Sequence, residues 1–299
     1  MLKALIKRCK PLPNGSKLLI LGGGFSGQHI ASLTRGLGTQ TLCSRRQIDS
    51  PGADVVFNSN SSSPQLPPSE DLKGITHVIS SIPPAENGED PVLKYLYQTL
   101  IEINPRWVGY LSTTGVYGDY KGEWAKETDL PQPQQPRSKR RLACEKAWQA
   151  SGLPVQILRL PGIYGPGRSA LESVTSGKNK MVYKPGQVFS RIHVDDIAGA
   201  TLHIIHKASE GKLPAIINIA DDVPTENTEV LRYAAELLGL KLPPTEHFDI
   251  ASKKMSPMAL SFWQENRRIS NHLLCKSLGY SLMHPNYQSG LKDCLLEKG

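Results

Sequence analysis

The apolar positions of this chain fall into short runs separated by longer mixed stretches. The runs are Lys17–Leu21, Thr39–Cys43, Ala53–Phe57, His77–Ser81, Trp107–Ser112, Val155–Leu160 and Ile216–Ile219. Each is too short for a helix, and most are rich in Val, Ile and Leu on successive positions. Strands buried on both faces of a parallel sheet read this way. The stretches between them have room for crossover helices, so a βαβ order is expected. Asn58–Glu70 is polar and proline-rich and reads as a surface loop. Glu127–Arg137 carries three prolines and is expected to be non-helical throughout. Ser138–Ala150 is expected to be a helix with Leu142, Cys144, Ala147 and Trp148 on one side, stopped at Gly152. Met1–Lys10, with Lys3, Lys7, Arg8 and Lys10, reads as a basic tail feeding the first strand.

The first run, Leu18-Leu19-Ile20-Leu21, leads into Gly22-Gly23-Gly24-Phe25-Ser26-Gly27, and a helical pattern follows through Ile30 and Leu33. In this G-x-G-x-x-G turn, Gly22 permits the tight turn and Gly24 lets backbone approach a pyrophosphate. Gly27 permits close packing of helix on strand. The helix start aims N–H groups and its positive end at phosphate. The turn therefore predicts a Rossmann-type dinucleotide site. Phe25 and Ser26 within it, Ser44 after the second strand and Ser81 after the fourth complete the expected cofactor-binding set. An acidic residue at the end of the second strand would hold a ribose 2′-hydroxyl. Here that place reads Ser44-Arg45-Arg46, whose guanidinium groups suit a 2′-phosphate. NADP(H) is therefore expected over NAD(H).

Composition narrows the class. At 299 residues, 39% hydrophobic and 21% charged, the chain has the make-up of a globular α/β protein. No apolar run approaches the roughly 18 residues of a membrane span, and no secretory leader is expected from its start. Five scattered cysteines (Cys9, Cys43, Cys144, Cys275, Cys294) include no C-x-x-C pair. No metal site and no disulfide framework is expected, and a reducing, cytoplasmic setting suits the chain. Lys and Arg number 35 against 27 Asp and Glu, a formal charge of +8. That balance attracts phosphates and nucleic acid. No aromatic-and-basic stripe accompanies it, so nucleic acid is not expected as a partner.

Trp107–Asp119 (WVGYLSTTGVYGD), Ile157–Arg168 (ILRLPGIYGPGR) and Arg191–Ala200 (RIHVDDIAGA) follow the glycine turn in order. Together they resemble the extended branch of the short-chain dehydrogenase/reductase superfamily, the NAD-dependent epimerase/dehydratase-like proteins. The resemblance covers nearly the whole chain. It implies a doubly wound Rossmann-type parallel sheet with a smaller C-terminal substrate region. The expected division is a dinucleotide domain over 1–168, to which 187–222 returns, with 169–186 and 223–299 forming the smaller region.

The family's chemistry uses a Ser or Thr after the fifth strand and a Tyr-x-x-x-Lys pair on the next helix. Ser112 and Thr113 offer the hydroxyl. Registered on Glu145, Arg141 falls at the family lysine and Arg137 at the tyrosine, and no tyrosine lies between Tyr120 and Tyr164. Arginine keeps its proton at neutral pH and cannot replace a phenol as acid or base. Arg141 can still place charge beside the nicotinamide ribose. The pattern resembles the atypical members of the superfamily. The substitute proton donor is expected from Tyr164 first, with Tyr117, Lys139 and His193 behind it. The four positive charges of Arg137–Arg141 suit an anionic small-molecule substrate, or else form a surface turn balanced by Glu145, Glu127 and Asp129. Two functions stay open: an NADP(H)-dependent oxidoreductase or epimerase/dehydratase-like enzyme, and a non-catalytic dinucleotide-binding sensor or scaffold. A monomer and a homodimer are both compatible with the sequence.

Overall fold

Strand β1 (Lys17–Leu21) sends Leu18 and Ile20 into one hydrophobic layer and Leu19 and Leu21 into another, and all four are fully buried. Period-two alternation between two apolar layers is what the uninterrupted apolar run required. Around β1 stand β2 (Gln40–Arg45), β3 (Val55–Val56), β4 (His77–Ser80), β5 (Trp107–Thr113), β6 (Val155–Leu160) and β7 (Ile216–Asn218). All pair in parallel, in the order β7-β6-β5-β4-β1-β2-β3. Leu19, for example, lies beside Leu42 on one side and Val78 on the other. The order reverses between β1 and β4, and ligands of doubly wound sheets sit outside such a point, at the carboxyl ends. The structure, a computed structural model, describes residues 2–60, 63–177 and 180–297. Met1 of the expected tail, Ser61 and Ser62 of the expected loop, and residues 178–179 and 298–299 of the expected smaller region lie outside these.

Helices α1 (Leu2–Arg8), α2 (Phe25–Gly36), α3 (Ser69–Leu72), α4 (Pro91–Ile103), α5 (Pro136–Ala150), α6 (Ala170–Thr175), α7 (Val194–Glu210) and α8 (Asn227–Leu238) follow in chain order. Two short helices, α9 (Phe248–Ala251) and α10 (Pro257–Ser261), precede α11 (Tyr287–Leu296). Ile30 and Leu33 of α2 and Ile197 and Ile204 of α7 cover one sheet face. Leu96 of α4 and Trp148 of α5 cover the other. Asp90 ties the second layer together. Its Oδ1 accepts the Val92 and Leu93 N–H groups at 2.9 and 3.1 Å, capping α4, and its Oδ2 accepts Trp148 Nε1–H at 2.9 Å. A third cluster joins α6, α8 and α11 through Leu171, Leu231, Ala234 and Leu291. No helix among the described residues is long and apolar enough to cross a membrane.

Three expectations are corrected. The supposed basic tail is helix α1, because Leu5 is buried against the α2–α7 layer while the lysines face outward. Pro136 and Arg137 belong to α5: proline at the first helical position sacrifices no intrahelical bond. Within α5 the buried face carries Glu145, not Ala147.

Candidate functional site

At the carboxyl edge of β1 the glycine turn is braced from two neighbouring strands. Ser44 Oγ accepts the Gly22 N–H at 3.0 Å and Ser44 O accepts the Gly23 N–H at 2.7 Å. Ser81 Oγ donates to Gly22 O at 2.6 Å. Ser44 and Ser81 thus act on the turn itself. Gly22 has φ +102°, and a Cβ there would lie 2.5 Å from Ser81 Oγ. A Cβ on Gly27 would lie 2.4 Å from Gly22 O. At Gly24, by contrast, a Cβ meets nothing within 4 Å. Gly24 is also the N-cap of α2 and supplies no capping side chain. An open backbone face at an uncapped helix start fits a pyrophosphate. Ser26 is buried in the first turn of α2, and the Phe25 ring lies beneath the Arg168 guanidinium at 5.4 Å.

Arg45 lies across this turn. Its Nη1 donates to Gly23 O, and its Nε is buried without a partner. Arg46, one residue on, is exposed. The residues present therefore fit a dinucleotide. Gly27→Ala should displace the turn. Overpacking of this kind costs about 1–3 kcal/mol; relieved by moving the turn out of its binding geometry, the same energy is about 5- to 150-fold in dinucleotide affinity. Calorimetric titration of a variant with an unchanged circular dichroism spectrum checks it; unaltered affinity would show that α2 can move away at no cost.

Next to the turn, past Pro83 and Pro84, opens a cavity of about 640 Å³. Thr113 lines it from the end of β5, and Arg137, Arg140 and Arg141 from the start of α5. Arg191, Arg267, Glu265 and Phe262 line it from the far side. Five guanidinium groups thus face one carboxylate. Arg137 stacks on the Phe262 ring at 4.3 Å. Arg141 Nη1 donates to Tyr110 Oη at 2.9 Å and to Ile82 O at 3.2 Å, which plants its charge at the sheet edge. Arg191 donates to Phe189 O at 2.8 Å and Thr225 O at 3.0 Å, and burial pulls its guanidinium below the ordinary arginine value.

The acids proposed to balance this cluster do not do so. Glu145 is buried with Arg159, Glu127 accepts the Asn218 N–H at 2.9 Å, and Asp129 accepts the Lys126 N–H at 2.7 Å. Arg137 and Arg140 have no carboxylate partner among the described residues.

Thr113, Arg137 and Arg141 are thus brought together. Ser112 is not with them: its Oγ donates to Glu145 Oε1 at 2.5 Å, away from the cavity. Tyr164 faces a second cavity of about 620 Å³, its Oη 3.4 Å from Asn286 O. Burial pushes its phenol well above the ordinary tyrosine value. Tyr117 is fully buried, donates to Asn218 Oδ1 at 2.8 Å, and burial pushes it up to about 12. His193 is buried with its Nδ1 accepting the Asp195 N–H. Burial, then the neighbouring His284, pulls it down to about 3, so at neutral pH it is a neutral imidazole and not an acid. Lys139 is exposed and does not line the cavity.

Glu265 is the residue that sequence reasoning missed. Its side chain is 7% exposed, Oε2 accepts Arg267 Nη1–H at 2.7 Å, and Oε1 is buried without a partner. The only sequence hint was its place just ahead of Arg267-Arg268-Ile269.

A model of the NAD-dependent epimerase/dehydratase family matches residues 87–220. A solved structure of a functionally unknown conserved protein from Silicibacter pomeroyi is 37% identical. It covers 94% of this chain and 99% of its own, with a TM-score of 0.83. The chain belongs to the NAD-dependent epimerase/dehydratase family. Protein YeeZ of Escherichia coli K12 is 26% identical over 286 residues, covering 90% of this family member and 97% of YeeZ. The human epimerase family protein SDR39U1, solved with NADPH, shares the fold at 17% identity. It covers 93% of this chain and 98% of its own, with a TM-score of 0.69. The family fold is an NAD(P)-binding one, and the seven-stranded sheet follows it.

Proposed function

We propose that this protein is an NADP(H)-dependent oxidoreductase or epimerase/dehydratase-like enzyme acting on an anionic small molecule. The observation that carries the reading is the start of α5. Arg137, Lys139, Arg140 and Arg141 occupy its first turns, and no acidic residue does. Cations at a helix N-terminus oppose the helix dipole by about 0.3–1 kcal/mol each at exposed positions. Arg137, Arg140 and Arg141 line a cavity beside the dinucleotide turn. Charge placed against local stability, unneutralised by protein carboxylates, suits a carboxylate or phosphate ligand.

A bound dinucleotide supplies hydride chemistry at its nicotinamide. The chain's own residues do the rest. The Gly22–Gly27 turn and the start of α2 hold the pyrophosphate, with Arg45 and Arg46 on the 2′-phosphate. Arg141 sets positive charge at the sheet edge, and Thr113 hydrogen-bonds the substrate oxygen. Arg137 and Arg140 orient the anionic end. Glu265 holds or releases the proton through Oε1, in place of the phenol that Arg137 replaces.

Calorimetric titration with NADPH, NADP, NADH and NAD at two salt concentrations tests the cofactor assignment. NADPH is expected to bind tightest. Arg45→Ala with Arg46→Ala should weaken NADPH by roughly tenfold or more, since a charge-assisted bond contributes about 1.5–3 kcal/mol. NADH should lose less, the residual coming from the brace on Gly23. Equal losses would show that these arginines do not read the 2′-phosphate. A panel of anionic carbonyl compounds and nucleotide sugars then tests turnover.

One observation favours a second reading. No Tyr, His or Lys among the described residues lines the cavity. Tight dinucleotide binding with no turnover on any of the panel would support a redox sensor or scaffold instead.

A further inference from the structure

Where the smaller region meets the start of α7, four ligand-type side chains separated by up to about a hundred residues come together. His193 ends the short strand Arg191–His193, and Asp195 lies in the first turn of α7. His284 precedes α11 and Asp293 lies within it. One ligand atom from each lies within 4.8 Å of all the others. The side chains are 0%, 6%, 6% and 15% exposed, in the same order.

Three of the four offer unspent polar atoms, whereas His193 accepts the Asp195 N–H at Nδ1 and has Cys294 Sγ 3.6 Å from Nε2. His284 Nε2, Asp195 Oδ2 and Asp293 Oδ2 are all buried without a hydrogen-bond partner. His284 Nε2 stands 3.3 Å from Asp293 Oδ2 and 3.9 Å from Asp195 Oδ2, and His193 Nδ1 stands 3.8 Å from Asp195 Oδ2. Donor atoms held tetrahedrally at about 2.0–2.2 Å from one ion lie about 3.3–3.6 Å apart. Two carboxylates converging in a buried space with no hydrogen bond between them are costly, and a divalent cation removes that cost.

We propose that His193, Asp195, His284 and Asp293 form a structural site for a divalent transition-metal ion, with zinc the best match to two imidazoles and two carboxylates. Four protein donors close the coordination sphere, as in structural rather than catalytic zinc sites. His193 enters through Nδ1, giving up a long 3.2 Å bond from the Asp195 N–H. The ion pins α11 and the loop before it to the start of α7, and so holds the smaller region on the sheet.

The test uses untagged full-length protein, so that no affinity tag supplies histidines. Elemental analysis after exhaustive dialysis is expected to give one metal ion per chain. A strong chelator should lower Tm and added zinc should restore it. Cobalt should replace zinc with the visible absorption of a tetrahedral ion. Asp293→Asn should weaken zinc binding by more than about 100-fold, and His284→Gln should abolish it. Should the variants fail to fold, the chelator shift and the cobalt spectrum of the unsubstituted protein decide alone. A metal-free protein whose Tm ignores zinc, cobalt and manganese would overturn the proposal. It would leave His284 with Asp195 and Asp293 as its only carboxylate partners in this cluster.

Discussion

Glu145→Gln is expected to lower the free energy of unfolding by about 3–5 kcal/mol, the usual cost of leaving a buried charge without its partner. Glu145 and Arg159 are each 1% exposed at the side chain. Arg159 donates from Nε to Glu145 Oε1 at 3.1 Å and from Nη2 to Glu145 Oε2 at 2.7 Å. Ser112 Oγ adds a third bond to the same carboxylate, and the Tyr117 ring lies 4.7 Å from the guanidinium. Glutamine keeps the shape but leaves Arg159 charged, with Nη1 already lacking a partner. Replacing both partners, Glu145→Leu with Arg159→Met, should cost less than either single change, since the remaining charge is gone. Urea denaturation measures the unsubstituted protein and each of these variants. A single variant that loses under about 1 kcal/mol would show that water reaches the pair.

Glu265→Gln is expected to lower turnover on an accepted substrate by about 10²–10⁴-fold, the usual contribution of a positioned acid or base. Dinucleotide affinity should be unchanged, because Glu265 faces the arginine-lined cavity and not the glycine turn. The amide preserves the acceptor for Arg267 but cannot carry the proton. Unaltered turnover would remove Glu265 from the reaction. A rise in KM with kcat unchanged would instead show that it only fixes Arg267.

The features legible in the sequence were those that depend on neighbours along the chain. Leu18–Leu21 and Gly22–Gly27 announce strand and turn through successive residues, and Val155–Leu160 was bounded to the residue. The N-terminal helix has a local signal too, Leu2, Leu5 and Ile6 at helical spacing, but one short turn among four basic residues is too weak to outweigh their charge. Glu145 reads as a solvated helix charge until β6 brings Arg159 beneath it, 14 residues later in the chain. Tyr164 reads as a site tyrosine from its motif. The packing of α11 takes it elsewhere, so closely that a Cβ on Gly290 would fall 2.2 Å from its Oη. Glu265, 152 residues beyond Thr113, reaches the cavity only through tertiary packing. No local pattern encodes that distance.

The sheet's two outermost strands, β3 and β7, are only two and three residues long. A strand edge of that length offers too few free N–H and C=O groups to template another chain. The protein is thereby guarded against edge-to-edge aggregation, and any self-association should run through its helices, with no continuous sheet crossing from one copy to the next.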